Sequence, residues 1–247
     1  MTYCVALRLR GGLVMLADTR TNAGVDNIST FRKLTVLEHP GERVVGIMTA
    51  GNLALSQAVV NMALEEGVSL HEGEPKETLH TVPSMVRAAQ LMGQAVREIY
   101  RVDGPSLEAQ AGDFNVSILL GGQIGNGRLR LFQIYAAGNY IEATEDTPYL
   151  QIGEHKYGKP IIDRAATFDT DVGDALKLAL ISMDSTMRSN LSVGMPIDLL
   201  VYRKDALSVG LSRRIKDDDV YFRGLRQSWS DALTRAYQAI PGPDWAF

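Results

Sequence analysis

The second residue of the chain is a threonine, and an initiator methionine followed by so small a residue is open to removal by an aminopeptidase. Loss of Met1 leaves Thr2 carrying a hydroxyl and a free α-amine. An α-amino group titrates near pH 8, at about its reference value, so part of it is neutral at cellular pH and can take the hydroxyl proton. That is the N-terminal-threonine form of an activated nucleophile. Many chains begin Met-Thr without such a role, so partners must be found elsewhere. Asp18 closes a strand pattern in Ala17-Asp18-Thr19-Arg20, Lys33 opens another in Arg32-Lys33-Leu34, and Gly51 sits at a strand-to-helix junction, Ala50-Gly51-Asn52. A lysine beside the nucleophile lowers the pKa of a neighbouring ammonium and stabilises a developing alkoxide. An aspartate next to that lysine orients it, and a glycine N–H at such a junction can donate to an oxyanion while allowing close approach of a substrate. Taken singly, these residues read as a surface ion pair and a glycine turn. The ordered set reads as chemistry.

Other chemistries lack residues. The histidines His39, His71, His80 and His155 are scattered without His-Glu-x-x-His spacing, so no catalytic metal is expected. No organic cofactor is implied. The single cysteine, Cys4, excludes a disulfide framework and a zinc ribbon. The glycine-rich Gly121–Gly127 lacks the Lys-Ser/Thr of a phosphate loop and precedes a strand, so it is expected to be a hairpin turn. No Gly-x-Ser-x-Gly elbow is present, and no ATP-binding motif. Asn-x-Ser triplets begin at Asn27, Asn115 and Asn190, and without a secretion signal they carry no glycosylation meaning. Basic and acidic residues nearly cancel, 25 against 29, so no strong field favours nucleic acid or an anionic membrane. The N-terminus lacks the regions of a signal peptide, and no apolar run is long enough to span a bilayer, so a soluble, cytoplasmic protein is expected.

The elements that must position Thr2 follow from periodicity. Tyr3–Leu9 and Leu13–Asp18 run apolar around Gly11-Gly12, and Leu34–Glu38 and Val44–Ala50 around His39-Pro40-Gly41, as hairpins do. A small-residue helix is expected from Leu53 to near Gly67, and a second over 82–100, stopped by Asp103-Gly104-Pro105. Strands are expected at Asn115–Leu120, Leu129–Ala136, Tyr140–Ala143 and Tyr149–Ile152, then helices at Pro160–Ala166 and Asp171–Met187. A last strand pair, Pro196–Tyr202 and Leu207–Arg213, precedes an amphipathic helix at Asp219–Ala239. Hairpins dominate, so the sheets should be mainly antiparallel, two of them covered by helix pairs. With no repeat or linker among 247 residues, a single domain over 1–247 is expected, with a C-terminal helical extension at about 217–247.

Longer stretches carry a family resemblance. Thr2, Leu16-Ala17-Asp18-Thr19-Arg20-Thr21, Lys33-Leu34 and Ala50-Gly51-Asn52 resemble the catalytic half of proteasome β subunits and the HslV peptidase. Met1-Thr2-Tyr3-Cys4-Val5, the stretches 21–26 and 28–33, Gln151–Pro160 and Ser182–Gly194 are similar to the Anbu family, bacterial proteasome-related β-type proteins. The resemblance implies an α+β fold, the four-layer αββα sandwich of N-terminal nucleophile hydrolases. It implies Thr2 as nucleophile and base, Asp18 and Lys33 as its charge partners, Gly51 as oxyanion donor and Arg20 as support for the aspartate loop. It further implies a homo-oligomeric ring or spiral, a peptide or amide substrate, and a separate unfoldase or adaptor as a possible partner. At two places the chain departs from the proteasome pattern. Glu154 stands for a serine and Ser189 for an aspartate, while Ser192 keeps its type. Glu154 can then either hold the Thr2 ammonium in its protonated form or bind the positive end of a substrate.

Overall fold

The computed structural model describes residues 1–22, 28–71, 73–109 and 114–245. The first strand, β1 (Tyr3–Leu9), is buried at every position because it is covered on both faces. Tyr3, Val5 and Leu7 point to helices, whereas Cys4 and Ala6 point to a second sheet. β1 pairs antiparallel with β2 (Gly12–Asp18), register Cys4 to Ala17. Two short strands, β3 (Arg20–Asn22) and β4 (Ile28–Thr30), form a separate ribbon that periodicity does not reveal. Part of the 21–26 stretch and the Asn27 triplet lie outside the described residues. β5 (Leu34–His39) and β6 (Arg43–Gly51) follow as the expected hairpin.

Asn52 caps α1 (Leu53–Asn61) through its side-chain oxygen, and a single π-helical turn, Met62–Glu66, carries the chain to Gly67. α2 runs from Met85 to Ala109, straight through the expected stop at Asp103-Gly104-Pro105. The Tyr100 ring lies against Gly104, where a side chain would collide with it, and the Tyr100 hydroxyl donates to Glu108 at 2.8 Å. These contacts brace the turn in which Pro105 cannot donate a backbone hydrogen bond.

β7 (Val116–Ile124) continues through Gly121-Gly122, so the expected loop shrinks to the turn at 125–127 before β8 (Arg130–Ile134). Leu13 and Leu131 fill the space a side chain at Gly121 would need. Then come β9 (Tyr140–Glu142), β10 (Tyr149–Gly153), α3 (Lys159–Ala165) and α4 (Val172–Ser189), the last capped by Asp171. After β11 (Ile197–Arg203), β12 begins at Leu211 rather than Leu207. Asp205 and Leu207 adopt positive φ in the turn, and the Leu207 N–H is taken by the Tyr202 hydroxyl, so pairing starts four residues later. α5 (Val220–Ala239) closes the chain from its Asp219 cap.

One sheet has the order β10-β1-β2-β11-β12 and the other β5-β6-β7-β8-β9, each antiparallel throughout. Three cores separate four layers. Val14, Leu16 and Leu199 meet Ala175, Ala179 and Met183 of α4, while Ile47, Ile118 and Leu120 meet α1 and α2. Between the sheets, Ala6, Met15 and Ala17 pack with Met48, Leu119 and Leu200. The fold is therefore the expected α+β, four-layer αββα sandwich.

Candidate active site

The ends of β1, β2 and β10 converge on Thr2. Tyr3 pairs with Gly153 on one side, and on the other its N–H donates to Asp18 Oδ1 at 2.9 Å. The Thr2 carbonyl accepts from the Glu154 N–H at 2.7 Å. Thr2 itself is buried, whereas Met1 before it is 62% exposed. The nucleophile candidate is thus fixed by its neighbours while the residue before it stands in solvent.

Asp18 is fully buried and is held by three donors. Lys33 Nζ lies 2.8 Å from Oδ1, which also takes the Tyr3 N–H, and the Gly194 N–H points at Oδ2 from 3.3 Å. Burial pushes the Asp18 carboxyl above the ordinary carboxylate range, against the pull of Lys33 and the backbone donors. Lys33, also buried, donates a second bond to the Arg20 carbonyl at 2.7 Å. Its ammonium is thereby oriented by two fixed acceptors at the start of β5, and the Lys33 carbonyl accepts from Thr49 of β6 at 3.1 Å.

Arg20 works on the loop behind Asp18. Its guanidinium donates to the Leu191 carbonyl at 2.9 Å and lies so close over Gly194 that a Cβ there would be 2.4 Å from Cζ. The loop that delivers the Gly194 N–H to Asp18 is therefore clamped by the arginine two residues beyond Asp18. Gly51 ends β6 at φ 108°, exposed, with the Asn115 carbonyl where a Cβ would be. Only glycine fits there.

The far side of Thr2 carries Glu154, buried with its Oε2 accepting from Asn190 Nδ2 at 3.2 Å. The same amide touches Met1 Sδ at 3.9 Å. Asn190 is a site residue that residue-by-residue reading of the sequence did not single out. It follows α4 as its C-cap, so only the folded chain shows that it faces Glu154. Ser192 lies in the same turn, its N–H donating to Asn190 Oδ1 at 2.9 Å, and Ser189 is the exposed last residue of α4. Among the described residues neither serine hydroxyl bonds to Thr2, Asp18 or Lys33. No group of three or more His, Cys, Asp or Glu side chains converges among the described residues in a way that could hold a metal ion. No described helix is long and apolar enough to cross a membrane.

The proteasome-subunit family pattern matches residues 2–202. The chain belongs to the proteasome family. Solved structures narrow the likeness to Anbu. Anbu from Hyphomicrobium sp. strain MC1 is 53% identical at a TM-score of 0.88, covering 98% of this chain and 100% of that one. Anbu (ancestral beta-subunit) from Yersinia bercovieri is 48% identical at 0.89, covering 99% and 100%. The Anbu complex from Pseudomonas aeruginosa, described as a helical assembly, is 47% identical at 0.90, covering 99% of both chains. No curated protein matches. The Anbu structures cover residues beyond 202, so α5 lies within the Anbu likeness although it falls outside the general family pattern.

Proposed function

We propose that this Anbu-type chain is an N-terminal-threonine hydrolase that cleaves peptide or amide bonds once Met1 has been removed. The observation that carries the reading is the buried Lys33–Asp18 pair, whose carboxylate also binds the N–H of the residue following Thr2. A buried ion pair is a poor source of stability compared with apolar packing, so its presence beside a threonine at the chain start is better explained by chemistry.

In the proposed cycle the Thr2 amine accepts the Oγ proton as Oγ attacks the carbonyl carbon. The tetrahedral oxyanion takes a hydrogen bond from the Gly51 N–H, with the Lys33 ammonium favouring negative charge in the site. The C–N bond breaks as the amine passes its proton to the leaving nitrogen. Water, deprotonated by the same amine, then hydrolyses the acyl ester, releasing the acid and restoring Thr2. Arg20 and Gly194 keep Asp18 in place throughout. No metal or organic cofactor enters these steps. The helical assembly of the Pseudomonas aeruginosa relative supports self-association of this chain as well.

The test is intact mass, then labelling. Protein short by one methionine should react at Thr2 with a β-lactone and hydrolyse members of a peptide panel. Thr2→Ala should lose both while its unfolding free energy stays within about 1 kcal/mol of the parent. Undiminished hydrolysis by that variant refutes the reading. Retained methionine with no labelling favours a non-catalytic scaffold of the same fold.

A further inference from the structure

Glu154 is a buried carboxylate whose hydrogen-bond capacity is barely used. An ionised carboxylate can accept about four hydrogen bonds. Among the described residues Glu154 takes one from Asn190 at 3.2 Å and has one cation nearby, Lys156 at 3.7 Å, whose side chain is 71% exposed. A buried carboxylate is stable only against a compensating charge or several donors. The missing charge has an obvious source. The Glu154 N–H is bonded to the Thr2 carbonyl, and the amide that holds its Oε2 also touches the Met1 side chain. Glu154 is thus tied through its backbone to Thr2 and through Asn190 to Met1, the two residues whose separation creates an ammonium.

We propose that Glu154, held by Asn190, is the counter-ion of the Thr2 α-ammonium and sets the pH above which Thr2 acts as a base. The inference rests on the hydrolase reading only for its consequence, since the pairing itself needs nothing but a free amine. The groups around that amine pull in both directions. Asp18 at the end of β2, bonded to the N–H of Tyr3, and Lys33 just before β5 pair with and largely offset each other, and Arg20 donates to the Leu191 carbonyl. His155 and Lys156 share the Glu154 loop but are exposed, and Arg188 in the last turn of α4 is directed to Asp184. Glu154 is the buried, incompletely compensated charge, so it decides the sign. An adjacent carboxylate favours the charged amine and raises its pKa. Hydrolysis then rises with pH through that raised value, because only the neutral amine accepts the Oγ proton. Glu154 is thus a positioning residue rather than a catalytic one.

The experiment reads the amine directly. A fusion whose protease cuts immediately before Thr2 gives a defined threonine terminus. Competitive acetylation with acetic anhydride across a pH series, followed by mass spectrometry of the N-terminal peptide, yields the midpoint at which the amine becomes reactive. Glu154→Gln should move that midpoint down by about one unit, with Glu154→Ala giving the same shift should the glutamine variant fold poorly. Lys156→Ala should leave it unchanged or slightly higher. An unchanged midpoint in the folded Glu154 variants overturns the proposal, including the outcome in which they only lose thermal stability. So does a selective loss of cationic substrates at an unchanged midpoint, which would make Glu154 a substrate-binding group. Because acetylation needs no turnover, a chain that titrates as expected but cleaves nothing refutes the hydrolase reading and leaves this pairing standing.

Discussion

The Lys33–Asp18 pair is the most consequential contact at the scale of single residues, because each partner is buried and neither has water to replace the other. Asp18→Asn keeps the shape and removes the counter-charge, leaving an ammonium in the interior. The expected cost is about 3–5 kcal/mol in urea-induced unfolding. Replacing both, as Asp18→Asn with Lys33→Met, should regain at least half of that loss. A double variant no more stable than the single one would show that the charge is not what destabilises it. Cys4 gives a second check on the same interior. It lies between the sheets with Sγ near the Thr49 carbonyl, and burial pushes its thiol far above the ordinary range, so no thiolate forms. A thiol reagent should find no reactive cysteine in the native chain and one equivalent in denaturant. Reaction of the native chain would mean that the inter-sheet layer opens. Thr2, Asp18, Lys33 and Gly51 each end or immediately precede a strand whose period can be read along the chain, and the structure joins Asp18 to Lys33. Asn190 was not legible in that way. Its meaning depends on α4 ending opposite the turn at Gly153-Glu154, which sequence spacing does not encode.

Among the elements, the hairpins were the most legible, since alternation, turn residues and short range all agree. The errors cluster where a tertiary contact overrides a local signal. Proline stops a helix by default, but Tyr100 and Glu108 span the turn at Pro105 and α2 continues. Gly121-Gly122 suggests a loop, but close packing against Leu13 and Leu131 turns it into strand. The end of β10 carries the functional case. Gly153 has φ 81°, and a Cβ there would fall 2.0 Å from the Thr2 carbonyl oxygen. Gly41, in the β5–β6 turn, has φ 78° and nothing within 4 Å. Both alanine variants pay the left-handed conformation, about 1–2 kcal/mol. Gly153→Ala must in addition displace Thr2, so it should be the less stable of the two and should lose β-lactone labelling that Gly41→Ala retains. Equal stability and equal labelling would mean that the β10 end does not fix the nucleophile.

For the molecule as a whole, the three cores are complete almost without α5. Phe222 is the one fully covered side chain of that helix, and Arg226 fastens it to Asp184, a buried carboxylate on α4, at 2.6 Å. The rest of α5 and the segment after it present Val220, Tyr221, Leu233, Tyr237, Ile240 and Trp245 to solvent, an unusual apolar load for a surface helix. If this chain self-associates as proposed, these exposed apolar side chains are the expected contacts between copies. Deleting residues 217–247 should therefore lower the native mass in light scattering from a multiple of 27.0 kDa toward a single, shortened chain, while the antiparallel sheets persist by circular dichroism. The intact protein should also melt at a temperature that rises with its own concentration, as mass action requires of a folded assembly, and the shortened chain should not. An assembly of unchanged copy number after the deletion would place the contacts between copies on the sandwich itself. α5 would then have to be explained by what it does for Asp184 within one chain.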